Sequence, residues 1–175
     1  MRETTSGRKY ARAVLEIALQ RKQLESWRTW LKELARILQE PPVRNLMENP
    51  RAAFSLRKQL LEDKLKGQEP MLLNLALLLA SRGRTGLAGG IAAAYEDMLN
   101  QQYGIQPAEV TAAVPLDEAE KEKLVRYLSG VTGKKVIVSV RVDPAIIGGI
   151  VARAGDRLID GSIRTRLDQL KRSLA

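Results

Sequence analysis

The stretch Val136–Ser162, VIVSVRVDPAIIGGIVARAGDRLIDGS, decides the fold of the second half of the chain. Valine alternates with other residues through Val142, which is the period-two pattern of a strand with one buried face. An Asp-Pro pair then ends that strand, because proline cannot donate to a strand ladder. Two further apolar runs, 147–154 and 157–159, flank Gly155-Asp156 and predict a β-hairpin. The stretch offers backbone shape rather than reactive groups, so it predicts a protein that holds a partner.

The sequence on either side of this stretch adds a strand and two helices. Val110–Val114 is a short β-branched and alanine run that predicts a strand. Asp117 and Glu120 form a capping-box pattern at the start of a helix. A final helix is predicted for 163–174. Residues 105–175 are therefore predicted to form a small C-terminal α/β domain, with a short sheet plus two helices.

Residues 1–104 are predicted to be helical throughout. Apolar residues recur at helical spacing, and proline and glycine separate the runs. The expected helices span about 7–22, 24–39, 43–47, 52–65, 71–82 and 87–103, with Ser6 as the N-cap of the first. Short helices of this kind pack as a compact bundle. The predicted fold is α+β with two domains, an N-terminal six-helix bundle at 1–104 and the α/β domain at 105–175, joined near 104–107.

The composition excludes several classes of enzyme. The chain has 175 residues and contains neither cysteine nor histidine. A thiolate nucleophile, an imidazole base and most transition-metal sites are therefore excluded, and no cofactor or metal is expected. The most apolar run, Met71–Ala80, has about half the length that a membrane-spanning helix needs. We expect a protein that reaches a membrane only indirectly, through a partner.

The net charge of +9 has two interpretations. One is a solvated basic surface that faces acidic partners. The alternative is a basic nucleic-acid-binding adaptor. One Phe, four Tyr and two Trp leave few side chains for stacking on bases, which favours the first interpretation and no nucleic-acid partner.

Three patterns superficially suggest nucleotide binding or catalysis. Gly83–Gly90 is glycine-rich, but a predicted helix precedes it where a phosphate-binding loop needs a strand. Gly148-Gly149 is more typical of a strand bulge or a close backbone approach than of a nucleotide loop. The four aspartates between 143 and 168 fit turns or a surface ion pair. No catalytic residue is therefore predicted.

Two predicted helices are more apolar than a single core contact requires. In Tyr10–Leu19 only Arg12 and Glu16 are polar, and in Met71–Ala80 only Asn74 is polar. A surface helix needs an apolar stripe only about 100° wide. Either both helices are central in the bundle, or each turns one face to the core and the other to a partner helix lying in a groove. The residues alone leave both interpretations open.

These residues together resemble a known family. The segment 136–163 is similar to the C-terminal signature of the delta subunits of bacterial F-type ATP synthase, which are related to the mitochondrial oligomycin-sensitivity conferring protein. The start of the chain, Tyr10-Ala11-x-Ala13 with Ala18, also resembles that family. One departure is Ala152, where the family usually has a larger aliphatic residue. The matching signature residues are Asp143, Ile146, Gly148, Gly149, Arg153, Gly155, Asp160, Ser162, Ile163, Leu167 and Leu170.

The resemblance implies a non-catalytic connector in the stator of an ATP synthase, at the cytoplasmic face of the bacterial plasma membrane. It implies that the helical domain binds the N-terminal helix of an α subunit, in a groove between the first and fifth helices. It also implies that the C-terminal domain binds the b subunits of the peripheral stalk. The expected groove residues are Tyr10, Ala11, Val14, Leu15 and Ala18 on the first helix, and Leu72, Leu75, Ala76 and Leu79 on the fifth. The expected structural residues of the signature are Asp143, Gly148, Gly149, Arg153, Gly155, Asp160, Ser162 and Ile163.

Overall fold

The computed structural model describes residues 2–173, which form eight α-helices and a four-stranded sheet. The α+β class predicted from the sequence is confirmed. The chain divides into two compact units. The boundary along the sequence lies between Leu99 and Asn100, slightly before the join predicted near 104–107. The helices that precede the sheet are α1 (Arg2–Arg21), α2 (Leu24–Gln39), α3 (Pro41–Glu48), α4 (Phe54–Lys64), α5 (Pro70–Ser81) and α6 (Ala88–Gln102).

The starts of α1, α3 and α4 differ from the sequence prediction by two residues or more. α1 begins at Arg2, so Ser6 lies inside the helix and is not its N-cap. α3 begins at Pro41 rather than at Val43. Proline suits the first helical position because the N–H that it lacks would have no partner there. The same residue cannot continue α2, so the proline pair both ends one helix and begins the next.

The buried side chains of the first unit form one apolar cluster. α2 contributes the predicted stripe of Trp27, Leu31, Leu34 and Leu38. Tyr95 of α6 is fully buried, and its hydroxyl donates to the Leu24 carbonyl at 2.8 Å. Beside it, Glu96 pairs with Arg28 at 2.6 Å and with Lys32 at 2.8 Å, which ties α6 to α2. Burial alone would raise the pKa of Glu96, but the hydrogen bonds from Lys32 and Arg28 outweigh it and hold the pKa below its usual value.

The second unit is a sheet with the strand order β2-β1-β3-β4. Its elements are β1 (Ile105–Ala112), α7 (Glu118–Thr132), β2 (Lys135–Val142), β3 (Ile150–Ala154), β4 (Arg157–Asp160) and α8 (Ile163–Ser173). β1 and β2 are parallel and joined by α7, whereas β3 pairs antiparallel with both β1 and β4. Leu124 and Leu128 of α7 pack on one face of the sheet, against Val110, Val136 and Ala152.

Two local predictions in this unit are confirmed. The Asp117 carboxylate accepts from Glu120 N at 2.7 Å, and the Glu120 carboxylate accepts from Asp117 N at 3.0 Å, which completes the capping box of α7. Gly155 and Asp156 connect β3 to β4 as a two-residue hairpin turn, and Gly155 has a φ of +60°. The final helix is also present at 163–173, and Leu174, its predicted last residue, lies outside the described residues.

β1 is longer than predicted and contains a proline. It begins at Ile105, and Pro107 lies within it. Lys135 N donates a hydrogen bond to Gly104 O. In a parallel ladder every second residue of a strand bonds to the same neighbour, so the N–H groups of the even-numbered residues of β1 donate to β2. The nitrogen of Pro107 therefore faces the other edge of β1, which β3 covers only from Ala108 onwards. No ladder hydrogen bond is lost among these described strands, which is why the strand tolerates this proline.

Candidate functional site

The predicted groove residues lie mainly in the core of the first unit. Those that are buried are Ala11, Val14 and Ala18 on α1 and Leu72, Leu75, Ala76 and Leu79 on α5. Tyr10 and Leu15 are half-buried. Other residues of the unit cover these buried side chains, so a partner could contact them only if the helices moved apart. Partner binding at this region stays a prediction, and the side chains available for it are the neighbours of the buried ones.

Apolar side chains beside the buried stripes remain accessible on both helices. Leu19 of α1 is 42 % exposed and Leu78 of α5 is 44 % exposed. Sequence reasoning missed both residues, although a helical wheel carries a signal for Leu19. The buried stripe of α1 is formed by Ala11, Val14 and Ala18. At 100° per residue, Leu15 lies about 65° and Leu19 about 105° from the centre of that stripe. α1 therefore presents a second apolar stripe beside its core stripe.

An ion pair links the ends of these two helices. Arg21 is the last residue of α1, Glu69 is the N-cap of α5, and their side chains are 3.5 Å apart. The end of α1 that carries Leu19 is therefore beside the start of α5, where Met71 is half-buried.

In the second unit, Gly148-Gly149 is a close backbone approach that lies just before β3. Gly149 has a φ of +76°, and a Cβ there would lie 2.3 Å from the Gly161 carbonyl oxygen. A Cβ on Gly148 would lie 2.5 Å from Cδ1 of Ile163. Two backbone hydrogen bonds close the same joint, from Gly161 N to Ile150 O at 2.9 Å and from Ile163 N to Gly148 O at 3.0 Å. The glycine pair thus fixes the start of α8 against the start of β3.

Asp160 and Ser162 cap α8 at this joint. The Asp160 carboxylate accepts from Ser162 N at 2.9 Å and from the Thr165 hydroxyl at 2.8 Å. The Ser162 hydroxyl is buried and accepts from Thr165 N at 3.1 Å. The backbone hydrogen bond from Ser162, with the side-chain hydrogen bonds from Ser162 and Thr165, holds the pKa of Asp160 below its usual value. A carboxylate at this end also suits the dipole of the helix.

Asp160→Asn is expected to destabilise the second unit most at neutral pH. Because the folded-state pKa of Asp160 is depressed, its contribution to the free energy of unfolding is present above the unfolded pKa of about 3.9. That contribution is lost as the pH falls through the folded-state pKa. The difference in urea unfolding between wild type and variant should therefore shrink from neutral to acidic pH.

Thr165→Val is the matched control for this prediction. It keeps the Asp160 carboxylate but removes the hydroxyl that donates to it. This variant should retain a pH dependence smaller than that of the wild type. A result in which the free energies of unfolding of the wild type and Asp160→Asn differ by the same amount at neutral and acidic pH would contradict this prediction. That result would mean that the charge of the cap does not stabilise α8.

The other signature residues have separate local roles. Asp143 accepts from Ala145 N at 3.0 Å, in the turn that follows β2. Arg153 is exposed on β3 and pairs in register with Glu109 of β1. The structure therefore groups Gly148, Gly149, Asp160, Ser162 and Ile163 at the start of β3. Arg153 and Gly155 lie at the opposite end of that strand.

Two kinds of feature are absent from residues 2–173. None of the helices there has both the length and the hydropathy needed to cross a bilayer. Among the same residues, no group of three or more acidic side chains is placed to hold a metal ion.

The sequence is similar to those of one protein family. The family model described as ATP synthase delta (OSCP) subunit matches residues 7–174. The ATP synthase subunit delta of Dehalococcoides mccartyi is 37 % identical over 167 residues, which cover 95 % of this chain and 92 % of that protein. The ATP synthase subunit delta of Desulforamulus reducens is 37 % identical over 178 residues, which cover 96 % of this chain and 94 % of that protein.

The fold is similar to that of a chain in the Toxoplasma gondii mitochondrial ATP synthase hexamer, solved by cryo-electron microscopy. The TM-score is 0.70, the match covers 96 % of each chain, and the sequences are 18 % identical. At that identity, the likeness shows the fold alone. The family model and the two bacterial relatives span nearly the whole sequence, and on that basis the chain belongs to the ATP synthase delta (OSCP) subunit family.

Proposed function

We propose that this chain is the non-catalytic connector in the stator of an F-type ATP synthase. It links the catalytic head to the peripheral stalk and resists the rotational torque that accompanies proton-driven ATP synthesis. The observation that carries this proposal is the family match over residues 7–174. In this role the chain has no catalytic residue or cofactor of its own. It lies at the cytoplasmic face of the bacterial plasma membrane and reaches the membrane only through the complex.

In this proposal the two parts of the chain bind different neighbours. The N-terminal six-helix bundle, at 1–104, binds the N-terminal helix of an α subunit on the catalytic head. The C-terminal α/β domain, at 105–175, binds the b subunits of the peripheral stalk. A tether under torque needs slow dissociation, and buried apolar anchors at each contact provide it.

The contact with the α subunit lies on α1 and α5 in this proposal. Leu19 and Leu78 are its exposed apolar anchors, and half-buried Tyr10 and Leu15 extend the surface. The predicted residues that are buried support this surface from beneath: Ala11, Val14, Ala18, Leu72, Leu75, Ala76 and Leu79. An amphipathic helix that lays its apolar face into such a groove is a common mode of peptide recognition.

Titration calorimetry with a peptide of the α-subunit N-terminus tests this contact on the full chain. Leu19→Asp and Leu78→Asp are each expected to weaken binding at least about tenfold, because each puts a carboxylate where an apolar side chain would be buried. Both residues are exposed, so circular dichroism should show that the variants still fold. The absence of measurable binding to the wild type would contradict the proposal.

Gln20→Asp is the matched control for Leu19→Asp. It adds the same charge to the same helix, at an exposed polar position about 100° further round the helix. It is expected to leave the affinity nearly unchanged. If this control weakens binding as much as Leu19→Asp does, the effect is one of net charge, and the apolar groove is not the binding surface.

A further inference from the structure

β2 has an open backbone edge. The strand order β2-β1-β3-β4 gives it one neighbour, β1, and no other strand between residues 2 and 173 pairs with it. Lys135 N and Asp143 N both donate to backbone carbonyls at the two ends of β1, so the odd-numbered residues of β2 pair with β1. The N–H and C=O groups of the even-numbered residues therefore point away from the sheet. Those residues are Val136, Val138, Val140 and Val142.

This row of backbone groups selects an extended chain as its partner. Each outward N–H and C=O is a position at which a further strand could pair, and a long apolar edge strand is a typical site of such pairing. A helix could not satisfy these groups, because its own N–H and C=O groups are already bonded to one another. The opposite edge of the sheet offers less, since β4 has four residues and β2 has eight.

A groove of about 540 Å³ lies between β2 and α7. Among the apolar side chains that line it, Val136 is buried, and Val125 and Val138 are half-buried. The side chains of an added strand would point alternately towards this groove and towards the other face of the sheet. In peptide recognition by strand addition, the backbone hydrogen bonds provide affinity and pockets for alternate side chains provide specificity. The groove therefore fits a segment with apolar residues at every second position.

Unpaired cations gather near the start of β2. Lys134 and Lys135 are exposed there, and Arg126 of α7 lines the groove together with Val136. None of the three cations forms an ion pair with another described residue. Antiparallel pairing is slightly more stable than parallel pairing, and it would put the C-terminal end of an added segment beside these cations. Acidic residues at that end would complement them.

The acidic side chains of the groove lie nearer the start of α7. Glu118 is its first residue, and its carboxylate is 2.6 Å from the ammonium group of Lys121. Glu122 is one turn before Arg126 and also lines the groove. Because α7 joins two parallel strands, it runs back along the sheet, and its first turn lies towards the end of β2. The charges of the groove therefore distinguish one end of a bound segment from the other.

We propose that the edge of β2 and the groove beside it bind an extended segment of a partner protein. The segment adds to the sheet as an antiparallel strand, with apolar residues at alternate positions and acidic residues at its C-terminal end. Its backbone completes the ladder of β2, and its acidic end pairs with the cations at the start of that strand. The chemistry of this segment follows from β2 and α7 alone and does not rest on the proposed function.

Two synthetic peptides test this contact on the full chain. Each is capped at both ends and alternates Val with Thr; one ends in three Asp residues and the other in three Lys residues. Calorimetry should show that the Asp peptide binds at least about tenfold more tightly than the Lys peptide, because the Lys residues would meet Arg126, Lys134 and Lys135. Raising the salt concentration should reduce that preference.

N-methylation of the Asp peptide tests the backbone ladder on the unaltered protein. In an added strand, alternate N–H groups face β2 and the others face away from it. One isomer carries methyl groups on its Val nitrogens and the other on its Thr nitrogens. One isomer should lose at least about tenfold in affinity, because a methylated nitrogen cannot donate, and the other should bind within about threefold of the unmodified peptide.

Val138→Pro tests the same ladder from the side of the protein. It removes an outward N–H from the edge, whereas the N–H groups that pair with β1 belong to odd-numbered residues. Proline is tolerated on edge strands, so circular dichroism should change little while the Asp peptide binds at least about tenfold more weakly. Val138→Thr is the matched control, because it keeps the N–H and a β-branched side chain, and it should bind within about threefold of wild type.

Arg126→Glu and Lys123→Glu form a second matched pair on α7. Both residues are exposed, but Arg126 lines the groove and Lys123 does not. Arg126→Glu should reduce the preference for the Asp peptide over the Lys peptide, and Lys123→Glu should leave most of that preference in place. Equal effects of the two variants would mean that net charge, and not the groove, selects the peptide.

Several outcomes would overturn the proposal. They are equal binding of the Asp and Lys peptides, binding of neither, equal losses from the two methylated isomers, and a self-associating chain that Val138→Pro makes monomeric. In the last case a second copy of the chain, and not a partner segment, occupies the edge. Failure of the proposed function gives a different result, in which purified b subunits do not bind the chain although the Asp peptide does.

Discussion

Ala11→Asp is expected to unfold the N-terminal unit. Ala11 is fully buried on α1, within the cluster that also holds Val14 and Ala18. An aspartate there buries a charge with no partner, at a cost of about 3–5 kcal/mol, and its extra volume costs about 1–3 kcal/mol more. That total is comparable with the whole stability of a small domain, about 5–15 kcal/mol. Trp27 and Trp30 both lie in α2, so their fluorescence during urea unfolding reports on this unit.

Ala13→Asp is the matched control, on the same helix two residues later. Ala13 is exposed, so the new carboxylate stays in water. Only the lower helix propensity of aspartate should matter, at a cost of about 0.7 kcal/mol. Similar losses of stability in both variants would mean that Ala11 is not a core position. The predicted loss of fold also explains why exposed leucines, and not Ala11, are the useful positions for testing partner binding.

Gly149→Ala is expected to destabilise the C-terminal unit by about 2–6 kcal/mol. A φ of +76° costs any residue with a Cβ about 1–2 kcal/mol. The Cβ would also lie 2.3 Å from the Gly161 carbonyl oxygen, and a backbone atom cannot turn aside as the end of a side chain can. Relief of that clash would separate the start of β3 from the start of α8. Amide exchange in β1 and β3, measured by NMR, should rise in step with the lost stability.

Gly133→Ala separates the strain of the backbone from the clash. Gly133 caps α7 with a φ of +68°, and no described heavy atom lies within 4 Å of the Cβ that it would gain. It should therefore show the conformational cost of about 1–2 kcal/mol and nothing more. Equal losses from the two variants would mean that Gly149 is required only for its φ angle and not for the close approach.

The features of the second unit that were predicted correctly involve residues close together in the sequence. The Asp117–Glu120 capping box and the Gly155-Asp156 turn involve residues only a few positions apart, so their spacing was sufficient. The extent of β1 was not predictable in this way, because Pro107 has the character of a strand breaker. Its tolerance depends on the register with β2 and on where β3 ends, and both are set by residues far along the chain.

The candidate groove shows a different limit. The sequence indicated that α1 and α5 are apolar over a wide arc, and periodicity measures the width of that arc. It does not say which part of the arc faces the core, because the neighbouring helices decide that. On α1 the core takes the stripe that contains Ala11 and Ala18, where small side chains allow close packing, and leaves Leu19 accessible. The anchors proposed for the partner could therefore be chosen only once the packing was known.

The strand order β2-β1-β3-β4 has a consequence for biosynthesis. β1 is one of the two inner strands of the finished sheet, yet it is the first strand to leave the ribosome. Its two neighbours are made only at 135–142 and 150–154, so both edges of β1 stay open while α7 is being translated. The helical unit before Leu99 is by then complete and free to fold, as N-terminal domains generally do during translation. Nascent chains that stall before Ile150 therefore display an unpaired strand edge, the kind of surface that aggregates and that chaperones bind.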